Sequence, residues 1–381
     1  MRMCEPRIIM LLFKRSHCWI VLLLSCGGAV ESEPAPASEQ AAPAQHTSSG
    51  GVGGAAGSGG GPYEPAAPSS SSPPPSQPGS VDLPDGTLAT AQAWPVALAL
   101  DATHVYWANW GGYGEGSIQR IAKLGGSAEV LARSANRPDS LALDQEHAYF
   151  AERVLGTLSR VPLAGGEPEQ VVDNVNDLAW ALADETIYFL SYSSEGIQGM
   201  SKHGGDRQTA IPSAKASGQV YVHSGYVYWS EQFFPNPSSF DDHSLRLWRA
   251  ALAGGQPELL VNEPGSILSG FAVDDRDVYY GLVGVLPECG CEGTHLKALA
   301  QGSAEPRTLV TVQGSHIGAL SVDSAHIYWA TSDTIHRTSK DGASTVTLAS
   351  DLPWVSAIAT DDEHLYVTLY DESGSVRRLA K

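Results

Sequence analysis

The stretch LALDATHVYWA, residues 98–108, returns six times along the chain. Close copies are LALDQEHAYFA at 141–151, LSVDSAHIYWA at 320–330 and IATDDEHLYVT at 358–368. Looser copies are WALADETIYFL at 180–190, VYVHSGYVYWS at 220–230 and FAVDDRDVYYG at 271–281. Anchored on Tyr106, Tyr149, Tyr188, Tyr228, Tyr279, Tyr328 and Tyr366, the copies are spaced by 43, 39, 40, 51, 49 and 38 residues. A period near 40 is that of one four-stranded unit repeated around a ring. Each unit reads as an alternating strand, a DxxH turn and a β-branched, aromatic strand. A third strand such as SIQRIA or SVRRLA follows, then a paired-glycine turn and a short fourth strand. No sustained 3.6-residue apolar period interrupts them. The fold class expected is all-β, a seven-bladed β-propeller.

Finer features of the repeat carry further expectations. In the first strand, the positions six and eight before each tyrosine are large (Leu100 and Leu98, Leu143 and Leu141). The positions seven and nine before it are mostly small (Ala99 and Ala97, Ala142 and Ser140). Alternation puts the two sets on opposite sides, and the small set is expected on the central channel, the large set between blades. Only Gln219 and Tyr221 break the small pattern. The aspartates Asp101, Asp144, Asp274, Asp323 and Asp361 sit where a tight turn needs a side-chain acceptor, a structural role. Arg120, Arg160, Arg249, Arg337 and Arg378 recur in the third strand and are expected to bridge blades. The last unit stops after its third strand, SVRRLA. TLATAQAWPVALALD at 87–101 parallels TLASDLPWVSAIATD at 347–361, so the strand at Thr87 is expected to complete blade seven and close the ring.

The rest of the chain is of another kind. Residues 1–25 read as an export signal, with Lys14 and Arg15 ahead of a short apolar run. The sequence LLSC at 23–26 resembles a lipobox and makes Cys26 the expected lipidation site. Residues 26–80 are rich in Gly, Ala, Ser and Pro and carry no Lys or Arg, the composition of a disordered tether. The propeller is assigned to residues 81–381. The whole chain has a net charge of −19, a balance that argues against nucleic acid as a partner. Of five cysteines only Cys289 and Cys291 fall in the propeller. They form a disulfide candidate and lack the four-ligand spacing of a structural zinc site, so no metal and no cofactor are assigned.

The units VDSAHIYW at 322–329 and ALDATHVYW at 99–107 resemble the YWTD repeats of low-density-lipoprotein-receptor propellers, and also propeller lipoproteins of myxobacterial type. The resemblance covers about residues 90–381 and implies the fold. The Thr-Asp that follows the aromatic pair in YWTD is absent here, and receptor propellers of that type have six blades where seven units are counted. No ligand residue carries over. The expected function is a membrane-tethered binding or protein-interaction module of the bacterial cell envelope. It is monomeric, anchored through lipid, with the outer membrane favoured. A glycan or envelope protein is expected on the variable loop face near the channel mouth, with Trp94, Trp110, Tyr113 and Trp354 as ligand-binding residues. The alternatives are that these loops pack on one another, or that the propeller is a hydrolase, lactonase or lyase using a metal or its outer loops. No GxSxG or HExxH motif supports catalytic residues.

Overall fold

The computed structural model describes residues 86–111, 115–134, 136–191, 196–212, 214, 218–233, 244–286, 291–313, 316–371 and 373–381. The expected signal, the expected lipidation site Cys26 and the expected tether lie outside these residues, as do Tyr113 and Cys289, and with Cys289 the expected Cys289–Cys291 pairing. The described residues form seven four-stranded antiparallel sheets, and no α-helix occurs among them. Blade one runs Pro95–Leu100, His104–Asn109, Gly116–Ala122 and Glu129–Ser134. The next five blades repeat that order, with first strands Pro138–Leu143, Val175–Ala183, Val220–His223, Ser266–Val273 and Ala319–Val322. Blade seven has Val355–Thr360, His364–Leu369 and Gly374–Ala380, and takes Thr87–Gln92 as its fourth strand. Thr87 pairs with Arg377, Ala89 with Val376 and Gln92 with Gly374. First strands of consecutive blades touch one another, and Val355–Thr360 meets Pro95–Leu100, so the ring is closed.

The aromatic pair of the second strand explains how the blades cohere. Neighbouring residues of a strand point to opposite sheet faces, and here each face meets a different blade. Tyr106 packs toward blade two with Ala148, Phe150 and Val161. Trp107 packs the other way, with Tyr366 and Val376 of blade seven. Tyr106 is 1% exposed and Trp107 is 0% exposed. Seven such clusters make up the core, one at each junction between blades. At ~25 cal/mol per Å² a ring of this size gains ~4–6 kcal/mol of transfer free energy, before the entropy of ordering is subtracted.

The expectation for the first strand needs correction. Ala97 and Ala99 share a cluster with Leu141 and Leu143 of the next blade. Ala142 likewise shares a cluster with Leu182. Small residues of one first strand therefore receive large residues of the next, and both sets lie between blades. The channel is bordered by members of both sets, Leu100, Val273 and Val322 beside Ala272, Ser321 and Ala359. The physical reason is that a blade presents its edge to the axis, so its side chains point sideways.

The aspartate turns are built as expected. Asp144 Oδ1 accepts the amides of Glu146 and His147 at 2.8 and 2.7 Å, and Oδ2 accepts the Tyr149 hydroxyl at 3.0 Å. The same arrangement serves Asp101, Asp274, Asp323 and Asp361 with Tyr106, Tyr279, Tyr328 and Tyr366. The DxxHxY spacing is thus one hydrogen-bonded unit. Arginines bridge blades as well. Arg120 donates to the carbonyl of Leu163 at 2.5 Å, Arg160 to that of Lys202 at 2.9 Å and Arg378 to that of Lys123 at 2.7 Å.

A second bridge was not foreseen. A lysine ends the third strand of one blade and reaches the turn aspartate of the blade before it. Lys202 meets Asp144 at 3.1 Å, Lys381 meets Asp323 at 2.6 Å and Lys123 meets Asp361 at 2.8 Å, while Lys340 meets Asp274. These lysines stand three residues after the repeat's arginine position, in Arg120/Lys123, Arg337/Lys340 and Arg378/Lys381. The other three blades hold Leu163, Leu252 and Gln301 at this position. The blades before the last two lack the aspartate, at Ala183 and His223, whereas the blade before Leu163 carries Asp101.

Candidate functional site on the loop face

The aspartate turns and paired-glycine turns share one side of the ring. The loops entering each first strand, and those joining second to third strands, lie on the other. On that second side the chain departs from its own repeat. The hairpins Tyr226–Phe233 with Ser244–Ala251, and Asp277–Leu286 with Cys291–Ala300, are longer than their counterparts in blades six and seven. Phe234 and Phe240 lie outside the described residues.

Trp94, Trp110 and Trp354 are brought into one seam between blades seven and one. The Trp110 amide donates to the Trp94 carbonyl at 3.0 Å, and the Trp94 amide donates to the Asp371 carbonyl at 2.9 Å. The Tyr370 amide donates to the Trp354 carbonyl at 2.7 Å, and the Tyr370 ring meets Trp110 edge-on at 6.0 Å. Trp354, 43% exposed, is the most open ring of the three. His316 lies against it at 5.1 Å, and burial lowers the pKa of that imidazole.

Trp110 is already well partnered. The guanidinium groups of Arg137 and Arg153 lie over its ring at 5.3 and 5.9 Å. Its Nε1 donates to the Asp139 carboxylate, which also pairs with Arg153 at 3.4 Å. Each cation–π contact contributes ~0.5–1 kcal/mol at a half-exposed site. In this part of the face the loops do pack on one another. Sequence reading missed Arg137, Asp139, Arg153, His316 and Tyr370. One signal was present, since Arg137-Pro138 opens blade two as Trp94-Pro95 opens blade one. Both residues adopt positive φ, 53° at Trp94 and 57° at Arg137. A non-glycine residue held there by its surroundings stores ~1 kcal/mol or more of strain, and such strain gathers at ligand sites. Beyond Arg153 the loop tip exposes Val154 and Leu155, at 58% and 55%.

Among the described residues no group of three or more His, Cys, Asp or Glu side chains is placed to hold a metal ion. No family model and no curated protein sequence matches the chain. Among solved structures it is similar to the WD40 β-propeller domain of Doa1, with a TM-score of 0.52 and 12% identity over 76% of this chain and 96% of that one. It is similar to the extracellular domain of a one-component system from B. thetaiotaomicron, with a TM-score of 0.55 and 12% identity over 77% of this chain and 39% of that one. A puromycin-hydrolyzing peptidase from Mycobacterium tuberculosis gives 0.56 and 12% over 78% of this chain and 55% of that one. At such identities the likeness is one of fold, and the chain is a seven-bladed β-propeller. Propellers serve many unrelated functions.

Proposed function

We propose that the propeller is a binding module of the bacterial cell envelope that takes a glycan or a protein on its loop face. The observation that carries this reading is the open Trp354 ring, set beside a seam built from Trp94, Trp110 and Tyr370. A ring fixed by its own backbone and left partly open offers stacking area at little cost in ordering entropy. Trp94 and Trp110 act as the seam that holds the face in shape, and the exposed Val154 and Leu155 widen the apolar area beside it. The reading includes a lipid anchor at Cys26 and a tether over residues 26–80, which together present a monomeric propeller away from a membrane surface. The test is binding of the full chain to an array of cell-wall glycans and to immobilised envelope proteins. Trp354→Ala, with its fold verified by a melting curve, is expected to weaken the selected ligand ~5- to 30-fold. A folded Trp354→Ala protein that binds as tightly as wild type refutes this use of the face.

A further inference from the structure

The channel holds a second candidate site, away from the loop face. A cavity of about 410 Å³ is bordered by Leu100, Tyr221, Val273, Val322, Ile358 and Thr360, with smaller residues between them. Leu100, Val273, Val322 and Thr360 each directly precede a turn aspartate, so the cavity lies toward the aspartate-turn end of the channel. Its volume falls within the ~300–1,000 Å³ of small-molecule sites and is too small to admit a folded partner.

Tyr221 is the feature that points to a ligand. At its place in the first strand the other six units carry Ala99, Ala142, Ala181, Ala272, Ser321 and Ala359. A phenol here breaks a rule the chain otherwise keeps. Its ring is braced edge-on by Phe271 at 4.7 Å, and it remains 36% exposed although it borders the cavity. Burial raises the pKa of its hydroxyl, and no charged or hydrogen-bonding neighbour contributes to that shift. Among the described residues the hydroxyl has no protein hydrogen-bond partner, so it is open to water or to a ligand in the channel. Around it the side chains are apolar or neutral. The first strands are sheet edges as well, so main-chain groups on their inner side have no strand partner.

We propose that the channel binds one small, uncharged molecule with an apolar body and a hydrogen-bonding group, held by the Tyr221 hydroxyl and walled by Leu100, Val273, Val322 and Ile358. The uncharged class follows from the walls, because no side chain bordering the cavity carries a charge to compensate an ion taken out of water. The probe is N-phenyl-1-naphthylamine, a neutral aromatic amine whose fluorescence rises in apolar surroundings, titrated into the full chain. A saturable, one-to-one signal is expected. Tyr221→Phe keeps the ring and removes the hydroxyl, and is expected to weaken binding about three- to tenfold. Ser321→Trp fills the cavity and is expected to abolish it. Leu124→Ser, on an exposed turn, controls for probe on surface apolar groups and is expected to change nothing. A signal that does not saturate, or equal affinity in wild type and Tyr221→Phe, overturns the proposal. If Ser321→Trp fails to fold, the Tyr221→Phe comparison alone decides.

Discussion

Truncating Leu88 tests whether the strand before blade one holds the ring together. Leu88 is 6% exposed and shares a cluster with Tyr366 and Val376 of blade seven and with Val105 and Trp107 of blade one. Leu88→Ala removes its outer atoms from that junction and leaves a cavity. Such a change costs ~2–5 kcal/mol, and about 3, in the lower half of that range, suits a site that can partly relax. Unfolding entropy near the midpoint is ~2.1 cal/mol/K per residue, or ~0.6 kcal/mol/K for a ring of about 300 residues. The melting temperature should therefore fall by ~5 °C. Because every blade is held from both sides, the loss should appear as a shift of one transition. Val346→Ala, at a side chain 45% exposed on the fourth strand of blade six, should move the melt by less than ~2 °C. Differential scanning calorimetry of the full chain measures both. A Leu88→Ala melt within 1 °C of wild type would refute the reasoning, because the closing strand would then carry no stability.

Two further outcomes are expected. Burial alone would raise the Asp144 carboxyl, but the amides of Glu146 and His147, the Lys202 ammonium and the Tyr149 hydroxyl outweigh it and hold the pKa at about 2. Its unfolded value is ~3.9, so the stabilisation is complete above that pH and is lost as pH falls toward about 2. Lys202→Met should shift the midpoint of acid unfolding upward by a few tenths of a pH unit (~0.2–0.5) and lower the neutral melt by about 1 °C, because the contact is fully present at neutral pH. An acid titration followed by tryptophan fluorescence checks this, and an unmoved midpoint counts against the latch. For the anchor, growth with a labelled fatty acid should tag the wild type and not Cys26→Ser, whereas equal labelling of both removes Cys26 from the argument.

Much of this architecture was legible in the chain. The seven tyrosines gave the blade count, and the parallel between TLATAQAW and TLASDLPW gave the closing strand, because a repeat shows its own missing part. The aspartates were readable because their partners lie within five residues, a distance sequence can see. The first-strand residues were assigned to the wrong neighbours. Alternation separates two faces but does not say what each face meets, and that depends on the tilt of the blade. The lysine latch was hidden by loops of unequal length between the tyrosine and the lysine, although its spacing from the arginine position is constant. The loop face was legible only as a set of aromatic residues. That Arg137 and Arg153 both lie over the Trp110 ring depends on contacts between loops of different blades, which no local pattern encodes.

The pairing of Thr87 with Arg377 also sets a clock on biogenesis. At 5–20 residues per second, a ribosome that has made Thr87 needs roughly 15–60 s more to make its partner. During that interval the earliest strand of the ring is an open edge with nothing to pair with, and blade one already waits for blade seven. A chain exported as proposed would cross the membrane before its ring closes, so the unclosed arc, the form most open to chaperones and proteases, would last until Arg377 has followed Thr87 across.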